Sequence, residues 1–493
     1  MFVHPKGIGW LVILGLIVTV CIASSVSCTA TAANGKGESY SMKQELDSYI
    51  HKEPKLKGGL IGVSIRQADT GKIIYEHMGN TRFRPASNMK LLTAATSLSV
   101  LGKDYQFSTE LRTNGTIKQG RLNGNLYLVG KGDPTLLPET FDMFAAKLKA
   151  MDIDHISGDI IGDDTWYDAV RLSPDMIWSD EHYYYGAQVS ALTISPDKDY
   201  DAGTVRLEIQ SGGIGEKPQV SMSPKNNYIE IKNEAITVKA EQEEDLIIER
   251  EHGTNIVSVS GIIPKAKEPI KEWIAVWEPT GYALDLLKQA LVKQNITWHG
   301  VVKSGEAPIK SKLLFTHSSM TLAELLIPFM KHSNNSLGEI LVKEMGKKVY
   351  GEGSWEQGIE ALKRQLKRFG LNQEKLLIRD GSGISHVTLI PPTAITQLLY
   401  AVQKEAWFPS FIKSLPVAGD SDRQIGGTLR YRMPDLVVQA KTGTIYGVST
   451  LSGYAEKSNK EKLIFSIMIN NLIDEEEGKV IEDQLLEIIV DTD

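Results

Sequence analysis

The residues best placed to do chemistry stand in three clusters: Ser87-Asn88-Met89-Lys90, Ser333-Asn334-Asn335 and Lys441-Thr442-Gly443-Thr444. On a helix, residues three apart are neighbours one turn on, so Ser87 and Lys90 can meet side by side. That pairing suits acyl transfer to a serine hydroxyl with the amine as base. A free lysine titrates near ~10.4, so Lys90 must be brought down by burial and by a second cation, for which Lys441 is the candidate. No catalytic histidine is obvious near the clusters. The same S-x-x-K spacing recurs at Ser195-Pro196-Asp197-Lys198 and Ser410-Phe411-Ile412-Lys413. Pro196 and its charged neighbours suit a turn, and Ser410 has no partner clusters at sensible distances, so both are set aside.

The elements that must position these groups are legible around them. Met89, Leu91, Leu92, Ala95, Leu98 and Leu101, closed by Gly102, predict a buried helix with Ser87 at its first turn. Before it, Ile61-Gly62-Val63-Ser64-Ile65 and Lys72-Ile73-Ile74-Tyr75 flank Asp69-Thr70-Gly71, the pattern of a hairpin, and residues 42–50 carry a helical period. At the far end, residues 437–440 run as a strand into Lys441, residues 451–455 and 463–469 read as further strands, and a helix around residues 483–489 covers that sheet. His332-Ser333-Asn334-Asn335-Ser336 is predicted to be a loop between helices, because positions i and i+2 on a helix point apart. Lys441-Thr442-Gly443-Thr444, at a strand end, offers a backbone edge for a peptide. There Gly443 permits close approach, and the Thr442 and Thr444 hydroxyls can bind a terminal carboxylate. The backbone N–H groups of Ser87 and Thr444 would form an oxyanion hole.

Lys90 and Ser333 are 243 positions apart, far more than one helix needs to pass another. From about Phe107 to Lys312 strand and turn patterns prevail, as in Gly124-Asn125-Leu126-Tyr127-Leu128-Val129 and Thr204-Val205-Arg206-Leu207-Glu208-Ile209. This stretch is predicted to be an insertion that folds separately. At 493 residues and 42% apolar, the chain is long enough for more than one core, and its length suggests about three domains.

The N-terminus carries Lys6, an apolar run from Ile8 to Ala23, and small residues ending in Ala30-Thr31-Ala32, the pattern of a secretory signal peptide over residues 1–32. An uncleaved anchor and, from Cys28, a lipid attachment site are the alternatives. Both cysteines, Cys21 and Cys28, fall in the leader, so cleavage leaves no thiol, disulfide or cysteine metal site. Loss of Lys6 takes the net charge from −7 to −8, which argues against nucleic acid as a partner. With no paired cysteines and no coiled-coil repeat, a monomer is expected.

S-x-x-K, an S-x-N element and K-T-G in this order resemble the signature of penicillin-binding proteins and class A β-lactamases. The chain as a whole resembles a class C low-molecular-mass penicillin-binding protein, a D-alanyl-D-alanine carboxypeptidase/endopeptidase of the Gram-positive bacillus type. Further landmarks are Gly130-Lys131-Gly132-Asp133-Pro134-Thr135-Leu136, Gly162-Asp163-Asp164-Thr165-Trp166, Tyr185-Gly186-Ala187 and Asp380-Gly381-Ser382-Gly383-Ile384-Ser385. The resemblance implies an α/β penicillin-recognising serine transpeptidase/β-lactamase-like domain, split in sequence, with two nested mainly-β inserted domains. The implied segments are 33–106 and 313–493 for the split domain, 107–195 and 271–312 for one insert, and 196–270 for the other.

The resemblance also implies roles. Ser87 is the nucleophile and Lys90 its base; Ser333 relays a proton between Lys90 and the leaving amine; Asn335 holds the substrate amide and Lys90 in register. Asp180 pairs the free ammonium of a diaminopimelate side chain and Tyr185 packs its stem. Where the family has an arginine that grips the side-chain carboxylate, this sequence has His386, which cannot make a bidentate pair. Either that carboxylate is amidated, or it is held loosely. The expected substrates are peptidoglycan stem peptides ending in D-Ala-D-Ala, with β-lactam antibiotics as covalent inhibitors and no cofactor or metal. Two other readings stand beside this one: a serine β-lactamase, against which the long insertion and the lack of a recognisable deacylating Glu loop argue, and a non-catalytic cell-wall-binding scaffold, against which the intact polar motifs argue.

Overall fold

A computed structural model describes residues 41–492. The leader, with both cysteines, lies outside the described residues.

Five antiparallel strands form one sheet in the order Val437–Ile445, Val448–Glu456, Lys462–Asn470, Leu60–Gln67, Ile73–His77. The predicted hairpin is its far edge, with Val63 opposite His77 and Ile65 opposite Tyr75. Lys462–Asn470 is buried from Leu463 on, which explains its nearly unbroken apolar run: both faces of the strand are covered. Leu463, Phe465, Ile467 and Ile469 pack with Leu46 of the helix Met42–Lys52 and with Ile481, Leu485 and Ile489 of Glu475–Asp491. Ile464 and Met468, pointing the other way, join Leu91, Leu92 and Leu98 of the helix Met89–Val100 and Ile395, Leu398 and Leu399 of Pro392–Val402.

A polar row crosses the same sheet. Lys441 lies opposite Ser452, Ser452 opposite Ser466 and Ser466 opposite Ser64. Ser452 donates to Ser466 at 2.8 Å and accepts from Asn88 Nδ2 at 2.8 Å. The row places small side chains under the turn that carries Ser87, where Asn88 sits fully buried.

The inserted region holds a second five-stranded sheet, ordered Val302–Ser304, Ile160–Asp163, Leu126–Lys131, Ser108–Thr113, Lys312–Ser318, and three smaller sheets. It also contains two helices that the strand-and-turn pattern did not announce, Pro138–Ala150 and Pro279–Lys293. Each begins with proline at its first position, and Phe141, Phe144, Ala145 and Leu148 of the first recur at helical spacing in the core. Two of the expected segment borders, 270/271 and 312/313, fall inside the strands Ile270–Ala275 and Lys312–Ser318. These strands are hydrogen-bonded to Thr204–Gln210 and Ser108–Thr113. Among the described residues no helix is long and apolar enough to cross a membrane.

Candidate active site

A cleft of about 670 Å³ is lined by Ser87, Ser333, Asn335, Thr442, Gly443 and Thr444 together with Asp180, Tyr185 and His386. Nine of the eleven residues expected at the site therefore meet at one surface, and Lys90 and Lys441 lie fully buried beneath it.

Ser87 belongs to a single turn, Ala86–Asn88, that leads into the helix Met89–Val100. Lys90 Nζ reaches three acceptors: Ser87 Oγ at 2.9 Å, Asn335 Oδ1 at 2.6 Å and the Ser382 carbonyl at 2.9 Å. Burial brings the amine down to about 7, against the opposing pull of the Glu339 and Asp380 carboxylates. The second cation expected to lower Lys90 has no resolved part in this. The influence runs the other way: burial, and then Lys90, hold Lys441 well below the usual lysine range.

Ser333 differs from expectation in its partner. Its hydroxyl accepts from Lys441 Nζ at 2.8 Å, and Lys441 also donates to the Thr442 carbonyl at 2.7 Å. The serine sits at φ 58° between the helices Leu322–Lys331 and Asn335–Tyr350, so the loop is shorter than expected and Asn335 opens the second helix. Asn334 caps that helix by accepting from Leu337 N at 2.9 Å. Asn335 does hold Lys90, and its Nδ2 donates to the Tyr185 carbonyl at 3.0 Å.

Lys441, Thr442, Gly443 and Thr444 lie in the edge strand Val437–Ile445. Ala440 N donates to Pro416 O and Val438 O accepts from Ala418 N, so the backbone groups of 438 and 440 face away from the neighbouring strand. By strand alternation those of Thr442 and Thr444 face the same way. A Cβ on Gly443 would meet Thr450 Oγ1 at 2.3 Å and Ser87 N at 2.8 Å. The glycine thus lets the strand approach the nucleophile's own backbone, a reason different from the expected approach of substrate. Thr442 Oγ1 donates to Thr428 Oγ1 at 2.7 Å.

Two buried carboxylates were not read as part of the site. Asp380 accepts from Gly383 N at 2.8 Å, Ser385 N at 2.9 Å and Thr388 Oγ1 at 2.8 Å, which folds the 380–388 loop around it. Glu339 accepts from Ser382 N at 2.9 Å, Gly381 N at 3.1 Å and Trp355 Nε1 at 2.6 Å. Together they aim the Ser382 carbonyl at Lys90. Burial raises both carboxyls; Asp380 pushes Glu339 further up, while the hydrogen bonds each accepts, and for Asp380 the Lys90 cation, oppose the rise. Glu339 could have been found from its spacing: it lies four residues after Asn335, on the same face of one helix.

Among the described residues the Asp180 side chain has no hydrogen-bond or ion-pair partner, and burial raises its carboxyl while His386 and His182 oppose. Burial lowers His386, the Arg84 cation adds to this, and Asp180 opposes it. The ring of Tyr185 stacks on Tyr183 at 5.2 Å between centroids. Among the described residues no group of three or more His, Cys, Asp or Glu is gathered to hold a metal ion.

With this geometry in view, the sequence matches the model of the D-Ala-D-Ala carboxypeptidase 3 (S13) family over residues 42–491. The chain belongs to that family. It is 38% identical over 436 residues to a D-alanyl-D-alanine carboxypeptidase of Actinomadura sp., covering 87% of this chain and 81% of that protein. It is 28% identical over 420 residues to the D-alanyl-D-alanine carboxypeptidase DacB of Haemophilus influenzae, covering 84% and 86%. The crystal structure of penicillin binding protein 4 (dacB) from Haemophilus influenzae matches with TM-score 0.79 at 25% identity, covering 90% of this chain and 99% of that one. The expected low-molecular-mass penicillin-binding class and its α/β fold therefore hold for this S13 chain.

Proposed function

We propose that this S13 chain is a serine-type D-alanyl-D-alanine carboxypeptidase, with endopeptidase action on cross-linked stems, that works through an acyl-enzyme on Ser87. The observation that carries the reading is the buried Lys90 amine, 2.9 Å from Ser87 Oγ and brought to about 7. Near neutral pH about half of such an amine is unprotonated and can take the hydroxyl proton as Ser87 attacks the D-Ala carbonyl. The substrate strand adds along the edge of Val437–Ile445, and the oxyanion is received by the N–H groups of Ser87 and Thr444. Lys441 and Ser333, hydrogen-bonded to each other, form a second proton path: Ser333 gives its hydroxyl proton to the amine of the leaving D-Ala and takes one from the Lys441 ammonium, while the proton removed from Ser87 stays on Lys90 until the site re-equilibrates. Thr442 and Thr444 receive the terminal carboxylate. Asp180, at the cleft wall, takes the side-chain ammonium of the stem, and Tyr185 packs its methylenes.

The similarity to penicillin binding protein 4, which has been crystallised in complex with a β-lactam, supports β-lactams as covalent ligands here. The leader pattern supports export and action at the cell wall, and the lack of a coiled-coil repeat and of paired cysteines in the exported chain supports a monomer. The decisive experiment is labelling with fluorescent penicillin followed by mass spectrometry of the modified peptide. An adduct on Ser87 that disappears in Ser87→Ala is expected, and folded protein without an adduct would end the enzymatic reading. Slow release of the adduct distinguishes a carboxypeptidase from a β-lactamase, which would turn nitrocefin over rapidly.

A further inference from the structure

Asp180 sits on a short turn that is also held from outside. Trp178–Asp180 is one short helical turn, closed by Glu181 N to Trp178 O at 3.3 Å, and Tyr184–Gly186 is another. Between them, Glu181 is almost fully buried although it borders the cleft wall. The partner of Glu181 comes from far along the chain. Arg250 ends the strand Asp245–Arg250 of the sheet built from Glu230–Asn233, Ile236–Val238, Asp245–Arg250 and Ile256–Pro264.

The Arg250 guanidinium, 1% exposed, uses its whole fork. Nη2 donates to the Glu181 carbonyl at 3.1 Å and to Glu181 Oε1 at 3.3 Å. Nε donates to the Ala275 carbonyl at 2.8 Å, and Nη1 to the carbonyls of Thr254 at 2.8 Å and Glu251 at 3.2 Å. The group lies 5.5 Å from the Trp277 ring centroid, and His252 Nδ1 lies 2.9 Å from the same Glu181 oxygen. The turn is then stitched to the neighbouring sheet, since Ala275 N donates to the His182 carbonyl at 2.9 Å. On its other side it abuts Gly186, where a Cβ would stand 2.1 Å from the Asp180 carbonyl. The next link is Asn335 Nδ2 on the Tyr185 carbonyl, one residue from that glycine and one hydrogen bond from Lys90.

We propose that Arg250 is a positioning residue for the side-chain pocket: the inserted sheet, through this buried fork, sets where Asp180 stands and so how strongly the site prefers a cationic stem. This rests on the reading of Asp180 as the ammonium site. It gives the distant insertion a part in specificity that does not require it to touch substrate. Arg250 contacts neither the cleft nor the reacting atoms, so its loss acts through geometry alone.

The test compares kcat/KM for two stem peptides ending in D-Ala-D-Ala, one with a free side-chain ammonium and one with that amine acetylated. The proteins are wild type, Asp180→Ala, Arg250→Lys, Arg250→Met combined with Glu181→Gln, and the last pair in the Asp180→Ala background. The paired change leaves no buried carboxylate without its cation, and thermal unfolding checks that each protein is folded. Arg250→Lys keeps the charge but cannot span the acceptors, which guards against loss of the double variant. The expected result is a roughly tenfold fall in the ammonium-to-acetyl ratio for both Arg250 changes, carried by KM of the ammonium peptide, and no further fall once Asp180 is gone. If Asp180→Ala lowers the ratio and the Arg250 variants do not, the clamp is refuted while the pocket stands. If Asp180→Ala leaves the ratio unchanged, the pocket reading itself fails. Equal losses on both peptides in the Arg250 variants would make Arg250 a residue of the fold only.

Discussion

If Lys90 is the base, acylation must follow its titration. With the amine brought to about 7, half of the free enzyme carries neutral lysine at pH 7. An ordinary lysine would be neutral in only about one molecule in three thousand there. Burial therefore supplies a gain on the order of 10³ in the competent fraction. The sign follows directly: the neutral form grows as pH rises, so the second-order rate of acylation by a penicillin climbs through pH 7 and levels above it. At pH 5 it should be about a hundredth of the plateau. Lys90→Arg keeps a cation that cannot give up its proton; the rate should fall by about 10²–10⁴ and the limb near pH 7 should vanish. Glu339→Gln removes a carboxylate that favours the ammonium, so the limb should move to lower pH. His332 and His386 also line the cleft, and burial lowers both below the usual histidine value. Replacing each with Gln separates their contribution, and the limb should persist. The assay is stopped-time labelling with fluorescent penicillin from pH 5 to 9, on folded protein at constant ionic strength. A flat wild-type profile, or a limb that survives Lys90→Arg, would refute Lys90 as base.

Buried Lys90 should also tie stability to pH. Its folded value lies below the unfolded one, so the unfolded chain binds more protons between about pH 7 and 10.5; stability should rise over that window by on the order of 5 kcal/mol relative to Lys90→Met, and parallel melting curves against pH for the two proteins would contradict this. Gly443→Ala drives a methyl against Ser87 N and Thr450, displacing the nucleophile by a fraction of an ångström or more, so labelling should slow by up to about a hundredfold in protein that still folds; near-normal labelling would show that the strand can yield. Asp180→Ala should erase about ten- to a hundredfold of preference for a diaminopimelate stem over an uncharged one, the equivalent of roughly 1.5–3 kcal/mol for a charged hydrogen bond. His386→Arg should raise activity on the free-acid stem relative to the amidated one, and an unchanged acid-to-amide ratio would remove residue 386 from the pocket.

What could be read from the chain alone was whatever its local spacing encodes. Ser87 and Lys90 meet because three residues make nearly one helical turn. The hairpin at 61–75 and the strand that carries Lys441 follow from alternation and turn residues, and the order of the three clusters is enough to indicate an acyl-transferring serine enzyme. Packing decided the rest. Nothing in the spacing says that Ser333 pairs with Lys441 and not with Lys90, because they approach from a loop and a strand 108 positions apart. The helices Pro138–Ala150 and Pro279–Lys293 carried starting signals, but the strand patterns around them masked these. The Gly443 approach to Ser87, the grip of Asp380 and Glu339 on the Ser382 carbonyl, and the reach of Arg250 to Glu181 join segments far apart in sequence. Their energies come from burial and from pairing most polar groups of a desolvated site, and these conditions arise only once the sheets and helices have met.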